Sequence, residues 1–157
     1  MTKAIPQGYH TVTPMFVFKD ARKAIEFYKR AFSAQEHYAM PGPDGKGVMH
    51  AEIQIGNSII MMGEENPQQS CKSAQTAGGS PVSFYLYVEN VDSAFRRALE
   101  AGAETRMPVE EMFWGDRTGT VEDPFGYSWT LATHIKDLTQ EEIRQGAEAF
   151  FAKMSRK

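Results

Sequence analysis

Residues 16–32 read FVFKDARKAIEFYKRAF, and residues 86–103 read LYVENVDSAFRRALEAGA. Both switch from the two-residue alternation of a strand to helical spacing, with a short polar side chain at the switch. In the first, Asp20 is placed to cap a helix, its carboxylate accepting from backbone amides that lack a helical partner. Ala24, Ile25, Tyr28, Ala31 and Phe32 then fall on one face, and Arg22, Lys23, Glu26, Lys29 and Arg30 on the other. In the second, Asn90 or Asp92 is the cap, Ala94, Phe95, Ala98 and Leu99 make the apolar stripe, and Gly102 ends the helix. At an offset of 70, Phe16 meets Leu86, Asp20 meets Asn90, Ala24 meets Ala94, Ile25 meets Phe95 and Ala31 meets Ala101. The chain therefore reads as a repeat.

The flanking sequence fills out each half. A strand is expected over Thr11–Phe18, another over Gln35–Met40, and a hairpin from Val48–Ile55 and Ser58–Met62, joined by Gly56-Asn57, both tolerant of positive φ. The second half offers strands at Ser83–Val88, Thr105–Val109, Gly115–Glu122 and Tyr127–Thr133, with Asp123-Pro124-Phe125-Gly126 as a type I turn. Residues 64–80 are polar, a linker or long loop, and Cys71 within it is expected to be a spectator thiol rather than a nucleophile. At the C-terminus, Thr139 and Glu142 make a capping box, and Ile143, Ala147, Phe150, Phe151 and Met154 share one helical face. The expected fold is α+β: two βαβββ modules in tandem forming curved mixed sheets around a cleft, plus a C-terminal helix. The modules span 9–65 and 81–135, the linker 66–80 and the helix 138–155, within one domain over 1–157.

Composition narrows function. Across 157 residues, 17 Lys and Arg oppose 20 Asp and Glu, a net charge of −3, which argues against a nucleic-acid binder held by phosphate contacts. A single cysteine excludes cysteine-rich zinc sites and intrachain disulfides. No apolar run approaches the roughly 20 residues of a membrane span. No apolar core of a signal peptide opens the chain, so a cytoplasmic location is expected. A small-molecule ligand is the partner left open.

At this point the chain resembles the vicinal oxygen chelate superfamily, which includes glyoxalase I, bleomycin-resistance proteins and extradiol dioxygenases. FVFKDARKAIEFYKRAF, LYVENVDSAFRRALEAGA and VEDPFGYSWTLAT carry the likeness over roughly residues 9–135. HTVTP, HAEIQIG, FWGDRTGT and DPFGYSW are similar to its PhnB-like branch. The resemblance implies that metal-dependent members hold a cation with one ligand from the first and last strand of each half. Those positions fall on Thr13, Met61, Ser83 and Thr130. Neutral hydroxyls and a thioether are poor donors for zinc, nickel or iron. No metal or other cofactor is therefore expected, which sets this chain apart from glyoxalase I and the dioxygenases.

Strand parity supplies the other candidates. If Ala51, Ile53 and Ile55 face a helix, His50, Glu52 and Gln54 face the cleft. They are open to three readings: a polar ligand-binding or hydrogen-bonded set, ordinary exposed strand residues, or, for His50 and Glu52, acid–base groups or part of a non-standard metal site. Thr13, Met15 and Val17, and in the second half Ser83, Tyr85 and Tyr87, should also line the cleft, although alternating aromatics are as readily core. Trp114, Asp116 and Arg117 could wall a ligand site, with Arg117 on a carboxylate or phosphate, or form a structural network with Trp114 capping the core. His134 reads as a local hydrogen-bonding residue and Trp129 as core. Three functions stay open: a homodimeric module binding a small aromatic or amphipathic metabolite, a lyase or isomerase acting on a small carbonyl compound, and a purely structural role.

Overall fold

The computed structural model describes residues 2–156. The first module runs β1 (Met15–Phe18), α1 (Ala21–Phe32), β2 (Gln35–Met40), β3 (His50–Ile55) and β4 (Ser58–Glu64). A 3-10 turn at Pro67–Gln69 and a one-turn helix α2 (Ala74–Ala77) bridge to the second, which runs β5 (Ser83–Tyr87), α3 (Val91–Ala101), β6 (Glu104–Glu111), β7 (Asp116–Glu122) and β8 (Ser128–His134). Helix α4 (Gln140–Met154) ends the chain. Each module is one four-stranded mixed sheet, ordered β1-β4-β3-β2 and β5-β8-β7-β6. In each, the first strand pairs parallel to the last and the other pairings are antiparallel. The fold is α+β, two tandem βαβββ modules and a C-terminal helix.

Local chemistry explains the helices. Asp20 accepts from the Lys23 amide, and Ser33 closes α1 in the left-handed region at φ 55°. Asn90, not Asp92, caps α3 through the Ser93 amide, and Gly102 ends it at φ 119°. On α4 both bonds of the Thr139–Glu142 capping box are formed. Three expectations need correcting. β1 starts at Met15 rather than Thr11, because Pro14 has no N–H to donate to a ladder. The 66–80 segment is not plain loop: Glu65 accepts from the Ser73 amide and hydroxyl, and Ser73 caps α2. Leu99 is 36% exposed, off the buried stripe of α3, which is Val91, Ala94, Phe95 and Ala98.

The core joins the modules. Phe16 of β1 packs on Phe84 of β5 at 4.5 Å between ring centroids and on Trp129 of β8 at 5.7 Å. Beside them Asp123 is buried and accepts four hydrogen bonds. The Tyr28 hydroxyl (2.6 Å) and Trp129 Nε1 (3.0 Å) meet one oxygen, and the Phe125 and Tyr127 amides (2.9 Å each) meet the other. Trp129 is core, as expected. Arg97 of α3 donates to the Ala31 carbonyl at the end of α1. Cys71 is free and half-buried.

Candidate functional site

The parity expected for β3 holds: Ala51, Ile53 and Ile55 are buried, and His50, Glu52 and Gln54 alternate with them on the other face. Glu52 is the hub of a polar group on the first sheet. It accepts from His50 Nε2 at 3.3 Å and, on its other oxygen, from the hydroxyl of Tyr9. The Tyr9 hydrogen bond, followed by that of His50, holds the Glu52 carboxyl below its ordinary range, and Glu52 in turn raises the phenol. Tyr9 lies in the segment before β1, which also anchors through His10 Nε2 on the Asn57 carbonyl. Sequence spacing gave no signal for Tyr9, which is 43 residues from Glu52.

A second polar group sits on the other sheet. Asp116, the first residue of β7, is 3% exposed. Its Oδ2 accepts from Tyr85 (2.8 Å) and Tyr87 (3.1 Å), and its Oδ1 faces His134 Nδ1 at 2.7 Å. Burial pushes this carboxyl upward, but the donors from His134, Tyr85 and Tyr87 outweigh it and hold it below its ordinary range. Asp116 and then Asp137, 3.0 Å from Nε2, raise His134. Burial and the neighbouring Asp116 push the Tyr85 phenol up to about 12, against a smaller opposing effect of Trp114, whose Nε1 donates to its oxygen at 3.2 Å. The alternation of β7 separates Asp116 from its neighbour: Arg117 turns away and forks onto Asp92 of α3 at 2.9 and 2.7 Å. The Asp116–Arg117 pairing suggested by adjacency is thus replaced by Asp116–His134 and Arg117–Asp92. His134 is a hydrogen-bonding residue, as expected, and its partners are Asp137 three residues on and the buried Asp116 carboxylate.

The four positions of the metal-ligand pattern are placed as follows. Thr13 precedes β1 and donates to the His10 carbonyl at 3.3 Å. Ser83 opens β5 opposite Ser128. Met61 and Thr130 are equivalent, pairing with Met15 and Tyr85 in the same parallel register. Thr130 Oγ1 lies 2.9 Å from Thr120 Oγ1. This donor set does not fit a zinc, nickel or iron ion, which asks for imidazole, carboxylate or thiolate. Among the described residues, no group of three or more His, Cys, Asp or Glu side chains gathers where a metal could sit.

Two neighbouring spaces lie between the modules. The larger, about 560 Å³, is lined by Gln54, Ile55, Leu86, Tyr87, Glu89 and Arg97, among others. The smaller, about 200 Å³, shares Ile55 and Leu86 and adds His10, Pro14 and Tyr85. Gln54 and Tyr87 therefore meet on one cavity, whereas His50 and Glu52 bond within the first sheet and Tyr85, Tyr87 and Asp116 within the second. A separate cavity of about 500 Å³ is lined by Lys19, Asp20, Arg22 and Glu64 and includes none of the candidate residues.

The model of the Glyoxalase/Bleomycin resistance protein/Dioxygenase superfamily matches residues 10–131. An uncharacterized protein of Mycobacterium bovis is 40% identical over 136 residues, 85% of this chain and 89% of that one. The crystal structure of TioX from Micromonospora sp. ML1 is similar at TM-score 0.63 and 25% identity, over 80% of this chain and 99% of that one. A PhnB protein from Bacillus cereus shares the fold at TM-score 0.62 and 19% identity, over 79% of this chain and 99% of that one.

Proposed function

The chain belongs to the Glyoxalase/Bleomycin resistance protein/Dioxygenase superfamily, and on that scaffold we propose that it binds a small molecule between its two modules, without the divalent-metal ligand set of the metal-dependent members. One observation carries this: the cavity of about 560 Å³ to which the first module contributes Gln54 and Ile55 and the second Leu86 and Tyr87. Its lining mixes apolar side chains (Phe32, Ile55, Leu86, Val88) with polar ones (Gln35, Gln54, Tyr87), so a ligand could be held both by burial and by hydrogen bonds. Gln54 donates to the Gly56 carbonyl, which leaves its own oxygen to accept from a ligand, and Glu89 and Arg97 supply charge at the rim. The ligand class is a small aromatic or amphipathic compound.

The protein acts as a homodimer in this proposal. Met15 and Tyr87 on the sheets are 64% and 62% exposed, and a second copy over them would close the site. Sedimentation velocity tests this directly, a monomer at micromolar concentration counting against it. Binding itself is tested by thermal shift against a panel of aromatic acids, amines and phenols. A ligand at 100 times its Kd adds about 2.7 kcal/mol, or roughly 5–10 °C for a domain of this size. Gln54→Ala and Tyr87→Ala should each reduce the shift, and a shift that neither variant changes would move the site elsewhere.

The His50–Glu52 contact favours a second reading, proton transfer next to the carbonyl of a small substrate, with His50 as acid–base group and Glu52 orienting it. Deuterium exchange at the α-carbon of small ketones and aldehydes, followed by NMR, tests it. Catalysed exchange that survives His50→Ala would refute it.

A further inference from the structure

Helix α4 lies outside residues 10–131, the part of the chain that the family model matches, and its docking is specific. Its apolar face rests on Phe113, in the loop between β6 and β7: Phe150 and Phe151 stand 5.5 and 6.4 Å from the Phe113 ring. At the closest approach the helix carries a glycine. A Cβ on Gly146 would lie 2.9 Å from the Phe113 Cβ and 3.3 Å from its carbonyl oxygen. Glycine is a poor helix former, and at this position it is the residue without a Cβ to meet Phe113. The segment leading into α4 grips the same loop from the other side. The Ile135 and Lys136 amides both donate to the Gly115 carbonyl, at 2.9 and 3.0 Å, and Lys136 pairs with Glu111.

The gripped loop presents Trp114. Its ring stands edge-on to Phe113 at 4.9 Å, and its Nε1 donates to the Tyr85 hydroxyl, which in turn donates to Asp116. A continuous path thus runs from α4 through Phe113 and Trp114 to Tyr85, which lines the smaller inter-module cavity. The helix is held lightly: none of its residues is fully buried, and Phe151 is 58% exposed. Elements with little buried apolar contact populate the low-stability end of local opening.

We propose that α4 is a clasp on Tyr85, a wall of the smaller inter-module cavity: docked, it holds Trp114 on the Tyr85 hydroxyl, and undocked, it releases Trp114 and loosens that wall. For ligand access this rests on the small-molecule reading above; for the placement of Trp114 it stands without it. Trp114 is a positioning group here, with no chemistry assigned to it.

The test uses the full chain and its two tryptophans. Trp129 is 2% exposed and shielded from acrylamide, so the quenchable emission belongs to Trp114, a point that Trp114→Phe confirms by abolishing it. Gly146→Leu favours the helix itself but collides with Phe113. It should raise the quenching constant at least about twofold through local undocking, with a red shift of the emission. Phe113→Ala removes the contact from the loop side, should do the same, and keeps the test alive if Gly146→Leu fails to fold by circular dichroism. Unchanged quenching in the folded variants overturns the clasp. 1-Anilinonaphthalene-8-sulfonate then probes access. A several-fold change in its affinity in the variants supports the gating role, and increased quenching with unchanged affinity overturns it. Failure of the dye to bind the unmodified protein counts against the small-molecule reading, while the quenching result still decides the placement of Trp114.

Discussion

Replacing Asp116 with asparagine keeps the side-chain volume and removes its charge. Asp116 accepts from two phenols on one oxygen and faces His134 with the other. Asparagine has one carbonyl oxygen, so either the phenols or the imidazole lose their acceptor and meet an NH2 group. A hydrogen bond to a charged group contributes about 1.5–3 kcal/mol, and a neutral one about 0.5–1.5. Tyr87 and His134 are open enough for water to replace part of the loss, and burying the carboxylate carries its own cost. We therefore expect Asp116→Asn to lose about 2 kcal/mol, a fall in melting temperature of roughly 4–8 °C. The loss should depend on pH. Asp116 is held below its ordinary 3.8, so its contribution is present above that pH and fades as pH falls through the lowered value. His134 is raised above 6.5, so its part is full below that pH and fades as pH rises through the raised value. The gap between the two proteins is thus widest between about pH 4 and 6.5. Two titrations read the contacts themselves: imidazole nitrogen shifts in long-range ¹H–¹⁵N NMR, where His134 should fall toward its ordinary range in the variant, and tyrosinate absorbance, where Tyr85 should fall from about 12 toward 10. An unchanged His134 titration together with unchanged stability would refute the role given to Asp116.

Asp123→Asn should cost about 3 kcal/mol, because Trp129 Nε1 or the two turn amides then face a donor in a buried site. Urea denaturation measures it, with Tyr28→Phe, which leaves the carboxylate its other three donors, costing less than half as much. Glu65 is held at about 2 by the Ser73 and Thr76 hydroxyls and the Ser73 amide, so its stabilisation is present above 4.5 and lost as pH falls toward 2. Glu65→Gln should flatten the acid limb of a stability–pH curve across that window. Zinc or nickel in tenfold excess over protein should leave the melting temperature unchanged within about 1 °C, since a site filled at 100 times its Kd adds about 2.7 kcal/mol. A larger rise that disappears in His50→Ala would instead assign a metal to the His50–Glu52 pair.

What was legible in the sequence was local. The Asp20 cap, the Gly102 stop, the Gly56-Asn57 hairpin and the Thr139–Glu142 capping box are each set by residues within about five positions of one another, and each forms as read. The alternation of β3 fixed the faces of His50, Glu52 and Gln54 for the same reason, since buried Ala51, Ile53 and Ile55 allow one register only. Apolar character continues back through Val12 and so places the start of β1 too early, whereas the missing N–H of Pro14 ends the ladder. Helical spacing places Leu99 beside the buried stripe but does not mark where that stripe ends, and Leu99 lies past its edge.

The polar groups were less legible because they are made by pairing across strands. Asp116 meets His134 because β7 and β8 pair antiparallel with those two residues opposite, and Tyr85 and Tyr87 join them because β5 lies on the far side of β8. Nothing within FWGDRTGT points to a histidine 18 residues on, and adjacency pointed to Arg117 instead. Yet the register that hid this group also ties it to the family scaffold. Tyr85 stands opposite Thr130, as Met15 stands opposite Met61, so the second sheet carries a phenol where the first carries a thioether, beside the last-strand ligand positions of the metal-dependent members. Hydroxyls and sulfur at those positions do not make a donor set for zinc, nickel or iron, while the strands that frame them remain. What the second sheet displays there is a pair of phenols fixed by one buried carboxylate, a surface suited to recognising a ligand by aromatic contact and hydrogen bonding.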